Sequence, residues 1–115
     1  MTDKYGAIKY KNKKYKLAFN LNVMERIQDK YGTVNKWGEL TDGLKGEVNA
    51  AALIFGFTEM LNEGIDIDNE ANKTNEPMLT TKQVGRMITE IGLQQATAAL
   101  NKTVVESTKS DQKNA

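Results

Sequence analysis

The chain contains neither cysteine nor histidine, and it has a single proline. Without cysteine there is no disulfide framework, no thiol nucleophile and no ordinary zinc site. Without histidine the commonest general base and metal ligand is missing as well. An enzyme would have to work with carboxylates, lysines or hydroxyls alone. We therefore expect a protein that is not an enzyme and that binds no cofactor and no metal.

Long apolar runs are also absent. The longest apolar patch, residues 50–57, is much shorter than the roughly 18 residues that a membrane span needs. The N-terminal residues lack the apolar stretch of a secretory signal, so we expect a cytosolic protein without a membrane partner. A length of 115 residues suffices for one domain with one modest core. We assign that domain to residues 1–106 and expect the polar residues 107–115 to form a disordered tail.

The net charge of +1 conceals a separation of opposite charges. Residues 1–16 carry six lysines and one acid, whereas residues 59–76 carry six acids and one lysine. Nucleic-acid-binding domains usually carry a clear excess of positive charge, and this chain does not. We therefore expect no nucleic-acid partner. The lysines near the N-terminus have two interpretations: contact with phosphates, or the commoner protection of an exposed sheet edge.

Alternating apolar residues predict a β-hairpin over residues 6–19. With a two-residue turn at residues 12–13, the predicted register pairs Tyr10 with Tyr15 and Ile8 with Leu17. An isolated hairpin is marginally stable. Its apolar face must therefore pack on helices, or its edge must pair with another chain.

Helical periodicity predicts four to five helices after the hairpin. Two short ones meet at Gly32, where Asn20 or Asn22 caps the first and Thr33 caps the second. The others are predicted over residues 44–63, ending at Gly64, and over residues 81–91 and 93–106, separated by Gly92. The expected fold is α+β and mainly α, with the hairpin packed on this helical bundle.

The polar segment 65–78 is predicted to be an exposed loop. Its acidic residues do not form a calcium loop, because the glycine and the glutamate that such a loop needs are replaced by Ala71 and Pro77. Thr80, followed by Gln83, is a capping-box sequence and marks the start of the next helix.

The predicted helix over residues 44–63 is apolar on two faces. Such a helix is normally central in its fold, and otherwise its second face is covered by another chain. The residues of that second face that we select as candidate partner contacts are Leu44, Val48 and Phe55. Trp37 is the fourth candidate because tryptophan is enriched in binding hot spots, although a position in the core is its commoner use.

The last two predicted helices meet with a short break, as in a helix-turn-helix motif. The second of them has one basic residue, Lys102. It would lack most of the attraction to phosphates on which DNA binding depends. A small DNA-binding regulator is therefore kept only as an alternative function.

The order of the segments resembles the tail assembly chaperones of long-tailed (siphovirus-type) bacteriophages. A lysine-rich hairpin leads into YKLAFNLNVMERIQDKYGTVNKW, then EVNAAALIFGFTEMLNEG, and after a polar gap LTTKQVGRMITEIGLQQATAALNKTV. The family pattern L-x-x-L/I-x-x-x-[FY]-G is matched approximately by Leu21, Met24, Ile27, Tyr31 and Gly32. The pattern L-T-x-x-x-[VA]-G-x-[LM]-I is matched by Leu79, Thr80, Val84, Gly85, Met87 and Ile88.

This resemblance implies a chaperone of the host bacterial cytoplasm that is absent from the mature virion. Such proteins bind and solubilise the tape measure protein and help to recruit tail tube protein during tail morphogenesis. They commonly assemble or coat their client in several copies, so the resemblance implies that a homo-oligomer can form. The family often makes a longer product by a programmed frameshift, which is one route to the tail tube protein, and Gln112-Lys113-Asn114 is compatible with slippery codons. A minor phage structural or connector protein is the remaining alternative.

Overall fold

The computed structural model of the protein describes residues 5–44 and 46–113. In this part of the chain an antiparallel hairpin is followed by five helices, which confirms the predicted, mainly helical α+β fold. The elements are β1 (Gly6–Tyr10), β2 (Lys13–Leu17), α1 (Leu21–Tyr31), α2 (Val34–Thr41), α3 (Ala50–Asn72), α4 (Thr81–Ile91) and α5 (Leu93–Lys113).

The hairpin has a two-residue turn, as predicted, but the turn lies one residue earlier in the chain. Its pairs are Gly6 with Leu17, Ile8 with Tyr15, and Tyr10 with Lys13. The turn therefore lies at Lys11-Asn12, both with positive φ (49° and 64°), a backbone twist that matches the twist of the flanking strands. The predicted register is wrong by two residues. Because side chains alternate with a period of two, the apolar side chains still share the predicted face.

Local capping signals define α1 and α2 as predicted. The side chain of Asn20, rather than that of Asn22, caps α1 and accepts a hydrogen bond from the N–H of Val23 at 3.2 Å. Gly32 ends the helix with a φ of 91°. Thr33 then caps α2 through its hydroxyl, which accepts from the N–H of Lys36 at 3.0 Å.

Helix α3 begins and ends later than predicted. The side chain of Asn49 caps it by accepting a hydrogen bond from the N–H of Ala52 at 2.9 Å, so Leu44 and Val48 precede the helix. Gly64 does not end it. The backbone of β2 crosses α3 there, and a Cβ at Gly64 would lie 2.6 Å from the carbonyl oxygen of Lys16. The helix continues through the first half of the predicted loop.

The core is built around α3, which packs against β2, α1, α2 and α4. Trp37 is 1% exposed, and its Nε1 donates a hydrogen bond to the carbonyl oxygen of Ala52 at 2.9 Å. Gly56 leaves room for the indole. Thus the helix is central in the fold, the first of the two predicted alternatives, and Phe55 is only partly buried on its outer side.

The C-terminal helices follow the predicted capping box. The Thr80 hydroxyl accepts from the N–H of Gln83 at 3.1 Å, and the Gln83 side chain accepts from the N–H of Thr80 at 2.8 Å. Gly92, with a φ of 106°, separates α4 from α5, which packs against β1. Helix α5 continues past residue 106, where the sequence predicts its end. The tail predicted to be disordered is residues 107–115. The side chains of residues 109–115 lie outside the described part of the chain.

Candidate partner-binding surface

The four predicted contact residues do not lie on one helix face. Leu44, which is 85% exposed, and the partly buried Val48 lie in the connection between α2 and α3. Phe55 is on α3, and Trp37 is in the core beneath that helix. The shared face was predicted on a helix that begins at residue 44. It does not form, because α3 begins after the Asn49 cap. Trp37 has no exposed surface to offer a partner.

The connection before α3 holds Leu44 out in solvent. The Asp42 side chain accepts a hydrogen bond from the N–H of Leu44 at 2.8 Å, which fixes a local turn. The N–H of Asn49 then donates to the carbonyl oxygen of Leu40 at 2.8 Å and closes the connection against the end of α2. Leu44 is therefore presented by an ordered turn with its side chain unburied.

Phe55 is part of an aromatic patch, formed by Lys30, Tyr31 and Phe55. The rings of Tyr31 and Phe55 meet edge to face, with centroids 5.8 Å apart and an interplanar angle of 69°. The Lys30 Nζ lies 4.8 Å from the Phe55 centroid and 6.0 Å from the Tyr31 centroid. Partial burial raises the pKa of the Tyr31 hydroxyl. The patch joins the end of α1 to the first half of α3, and both rings keep part of their surface in solvent.

Sequence reasoning found Phe55 but missed Lys30 and Tyr31 as parts of a surface. Tyr31 is the last residue of α1 and matches the apolar period of that helix. Its contact with Phe55 depends on how α1 and α3 run past each other. The Arg26–Glu59 ion pair, with 3.4 Å between Nε and Oε1, marks the same crossing. A single sequence carries no signal for this tertiary pairing.

The first half of α1 and the middle of α3 border a polar groove of about 280 Å³. Its walls are Asn22, Val23, Arg26, Glu59, Asn62, Glu63, Asp66 and Met78. Glu63 accepts hydrogen bonds from the side-chain amides of Asn20 and Asn22 at 2.7 and 3.1 Å, and Glu59 pairs with Arg26. Much of the polar lining is therefore committed to holding α1 on α3.

Three lysines of the hairpin form ion pairs with acidic residues of the same chain. Lys11 lies 3.9 Å from Glu90, Lys13 lies 3.3 Å from Glu76, and Lys16 lies 2.7 Å from Asp68. The positive end of the sequence thus packs against its negative middle and against α4. Lys9 and Lys14 are paired with each other across the hairpin, and both are exposed.

Comparison of the chain with protein-family models, with curated proteins and with solved structures finds no match. Among the described residues, no three acidic side chains are grouped so that they would hold a metal ion. No helix in the described part of the chain is both long enough and apolar enough to cross a bilayer. The surface features that include predicted contact residues are the aromatic patch and the exposed Leu44; Leu21, Met78, Leu93 and Val105 are also exposed.

Proposed function

We propose that this protein is a phage tail assembly chaperone. In this role it binds apolar helical segments of the tape measure protein, keeps that protein soluble, and helps to bring tail tube subunits to it. It acts in the host bacterial cytoplasm, forms homo-oligomers, and is absent from the finished virion. The observation that carries the proposal is the partly exposed aromatic patch on α3, the central helix of a fold whose segments follow the chaperone order.

The aromatic patch has the chemistry that an apolar helix requires. Phe55 and Tyr31 offer rigid apolar area with few rotatable bonds, so little conformational entropy is lost when a partner covers them. Lys30 covers the Phe55 ring with a flexible side chain. This side chain can swing aside and expose the ring face to an incoming apolar side chain. An amphipathic helix would lay its apolar face across the two rings.

The contribution of Phe55 follows from the surface that it still exposes. Full burial of a phenylalanine is worth about 1.5–3 kcal/mol, and Phe55 is already partly buried. A partner therefore gains about 1 kcal/mol from covering the rest. Replacement by aspartate removes this apolar area and adds the cost of desolvating a carboxylate in the interface, even where Lys30 pairs with it. We expect this substitution to weaken binding at least tenfold.

Co-expression tests the proposal. The protein is produced together with a helical fragment of a tape measure protein, and the amount of soluble fragment is measured. The wild-type chain should keep the fragment soluble and co-purify with it, and Phe55→Asp should lose both effects. Leu21→Asp is the matched control, because Leu21 is 78% exposed at the far end of α1.

Circular dichroism and urea unfolding establish which variants are folded. A folded Phe55→Asp protein that still solubilises the fragment would contradict the assignment of the aromatic patch. If Phe55→Asp does not fold, Tyr31→Ser at the end of α1 takes its place, since it removes the partner ring without placing a charge in α3. A wild-type chain that fails to keep any tape measure fragment soluble would refute the function itself.

A further inference from the structure

The segment between α3 and α4, residues 73–80, forms a strap that folds back along α3. The reversal is made by Lys73, which has a left-handed backbone conformation with φ 54° and ψ 45°. Within the described residues, the other non-glycine positions with positive φ are Lys11 and Asn12 of the hairpin turn. Glycine is the usual residue at this position, because a Cβ is strained there. The turn that closes the strap onto its own chain is therefore strained.

The strap is held by polar contacts to the backbone. Asn62 pairs with the main chain of Leu79, donating to its carbonyl oxygen at 2.9 Å and accepting from its N–H at 2.8 Å. Asn69 pairs in the same way with the main chain of Glu76, at 3.0 and 2.9 Å. Residues 73–78 are all exposed. Leu79, at the end of the strap next to α4, is partly buried against the core, whereas residues 73–78 are held by polar contacts. Because Asn62 and Asn69 bind main-chain atoms, the strap of a second copy can make the same hydrogen bonds.

The helices beyond the strap are docked by their apolar faces. Helix α4 packs on α3, and α5 packs on β1. Their buried core residues are Val84, Met87, Ile88, Ala96 and Leu100. We name α4 and α5 together the C-terminal unit. Its main attachments are to surfaces at or before α3, and the chain link to them is the exposed strap.

We propose that two copies of this chain exchange their C-terminal units by opening at Lys73, which gives a domain-swapped dimer. The strap of each copy lies on Asn62 and Asn69 of the other copy, and each C-terminal unit docks on the partner's α3 and β1. The exchange keeps the core contacts and the strap contacts and releases the left-handed turn at both hinges. A second copy fits this surface because the chain already encodes every contact. The exchange specifies how the homo-oligomers of the proposed function form and in that respect rests on it, whereas its support comes from the hinge and the strap.

Substitutions at the hinge change the balance between monomer and dimer in opposite directions. Lys73→Gly removes the strain of the closed turn, and Lys73→Gln controls for the lost charge. With two hinges per dimer, we expect the dissociation constant of the Gly variant to exceed that of the Gln variant about 30-fold. Lys73→Pro cannot adopt a positive φ and loses the hydrogen bond from the residue 73 N–H to the Asn69 carbonyl. We expect it to be mainly dimeric.

The experiment refolds each full-length variant from urea at high concentration and measures dimer fractions by size exclusion with light scattering. The expected order is Pro above Lys and Gln, and Gly lowest. Circular dichroism shows whether the Lys73→Pro variant is folded. If it is not, the dimer fractions of the Gly and Gln variants alone test the proposal. Equal dimer fractions for Gly and Gln, or the absence of any dimer from the folded Lys, Gln and Pro forms, would overturn the proposal.

A crosslink distinguishes exchange from side-by-side association. The chain has no cysteine, so Ile54→Cys with Gly85→Cys gives one reactive pair between α3 and α4. A Cβ at Gly85 would lie 3.5 Å from the Ile54 Cδ1. After treatment with a short thiol crosslinker, an exchanged dimer gives covalent dimers on a denaturing gel. If the isolated dimer fraction gives only crosslinked monomers, the copies do not exchange.

Discussion

Replacing Gly56 by alanine tests the packing of the core at its tightest helix contact. A Cβ at this position of α3 would lie 2.3 Å from Cζ2 of Trp37 and 2.9 Å from its Nε1. The indole has little freedom to move away. It is 1% exposed, it stacks on Phe19 with centroids 6.4 Å apart, and its N–H donates to the carbonyl oxygen of Ala52.

The expected change in stability is the difference between opposing terms. Alanine gains about 1 kcal/mol over glycine in a helix interior. Forcing a methyl group into a filled core costs roughly 1–3 kcal/mol. Displacing the ring also leaves the buried N–H of Trp37 without its acceptor, which costs a further 1–3 kcal/mol or so. The sum predicts that Gly56→Ala destabilises the protein by about 1–5 kcal/mol.

Urea unfolding followed by the fluorescence of Trp37, the single tryptophan, measures this difference. Gly38→Ala is the matched control, because Gly38 also lies within a helix but a Cβ there would meet nothing within 4 Å. We expect the control to be stabilised by about 0.5–1 kcal/mol. A Gly56→Ala variant as stable as the Gly38→Ala variant would refute the described packing of Trp37 on α3.

Three further predictions follow from single contacts. Gly64→Ala places a Cβ 2.6 Å from the Lys16 carbonyl oxygen; overpacking costs about 1–3 kcal/mol and alanine gains about 1 kcal/mol in the helix, so we expect a net loss of about 0–2 kcal/mol in urea unfolding. A gain as large as that of Gly38→Ala would exclude the close crossing of β2 over α3. Thr80→Ala removes the capping box of α4 and should lower stability by about 1 kcal/mol, so an unchanged Tm would contradict it. The hydrogen bond that the Tyr10 hydroxyl donates to Glu90 raises the pKa of Tyr10. The stabilisation is therefore present below the ordinary tyrosine pKa of about 10 and is lost as pH rises through the folded value. Glu90→Ala should lower this pKa in an ultraviolet titration assigned with Tyr10→Phe, and an unchanged titration would argue against the bond.

Element boundaries were predictable where a single side chain decides them. Asn20, Thr33 and Thr80 each bond to a backbone N–H three residues ahead, and such contacts depend on a few neighbouring residues. Asn49 acts by the same mechanism but was overlooked, because the apolar period of the preceding residues continues smoothly into α3. The cap was visible in the sequence.

Gly64 shows where local signals are ambiguous. A glycine after a long apolar helix is the ordinary signal for a helix end. Here the residue instead allows the backbone of β2 to pass close to α3. The choice depends on a strand far away along the chain, so the periodicity of the helix itself did not reveal it. The predicted loop was too long for the same reason.

The candidate surface was predicted only in part. Phe55 was selected from its place on a second apolar face, and it is partly exposed on α3. Tyr31 joins it because α1 runs along α3, and Trp37 leaves the surface because Gly56 makes space for the indole beneath the helix. Helix amphipathicity marks which residues avoid water, but it does not say which neighbour covers them.

The sequence by itself determined the class of the fold, the hairpin, the number of helices and the caps of most of them. These features depend on side-chain periodicity and on hydrogen bonds within a few residues. Only the tertiary structure decided the end of α3, the partner of Phe55, the ion pairs of the hairpin lysines and the strained turn at Lys73. Each of these depends on the free energy of contacts between distant segments, which overrides weak local preferences when close packing requires it.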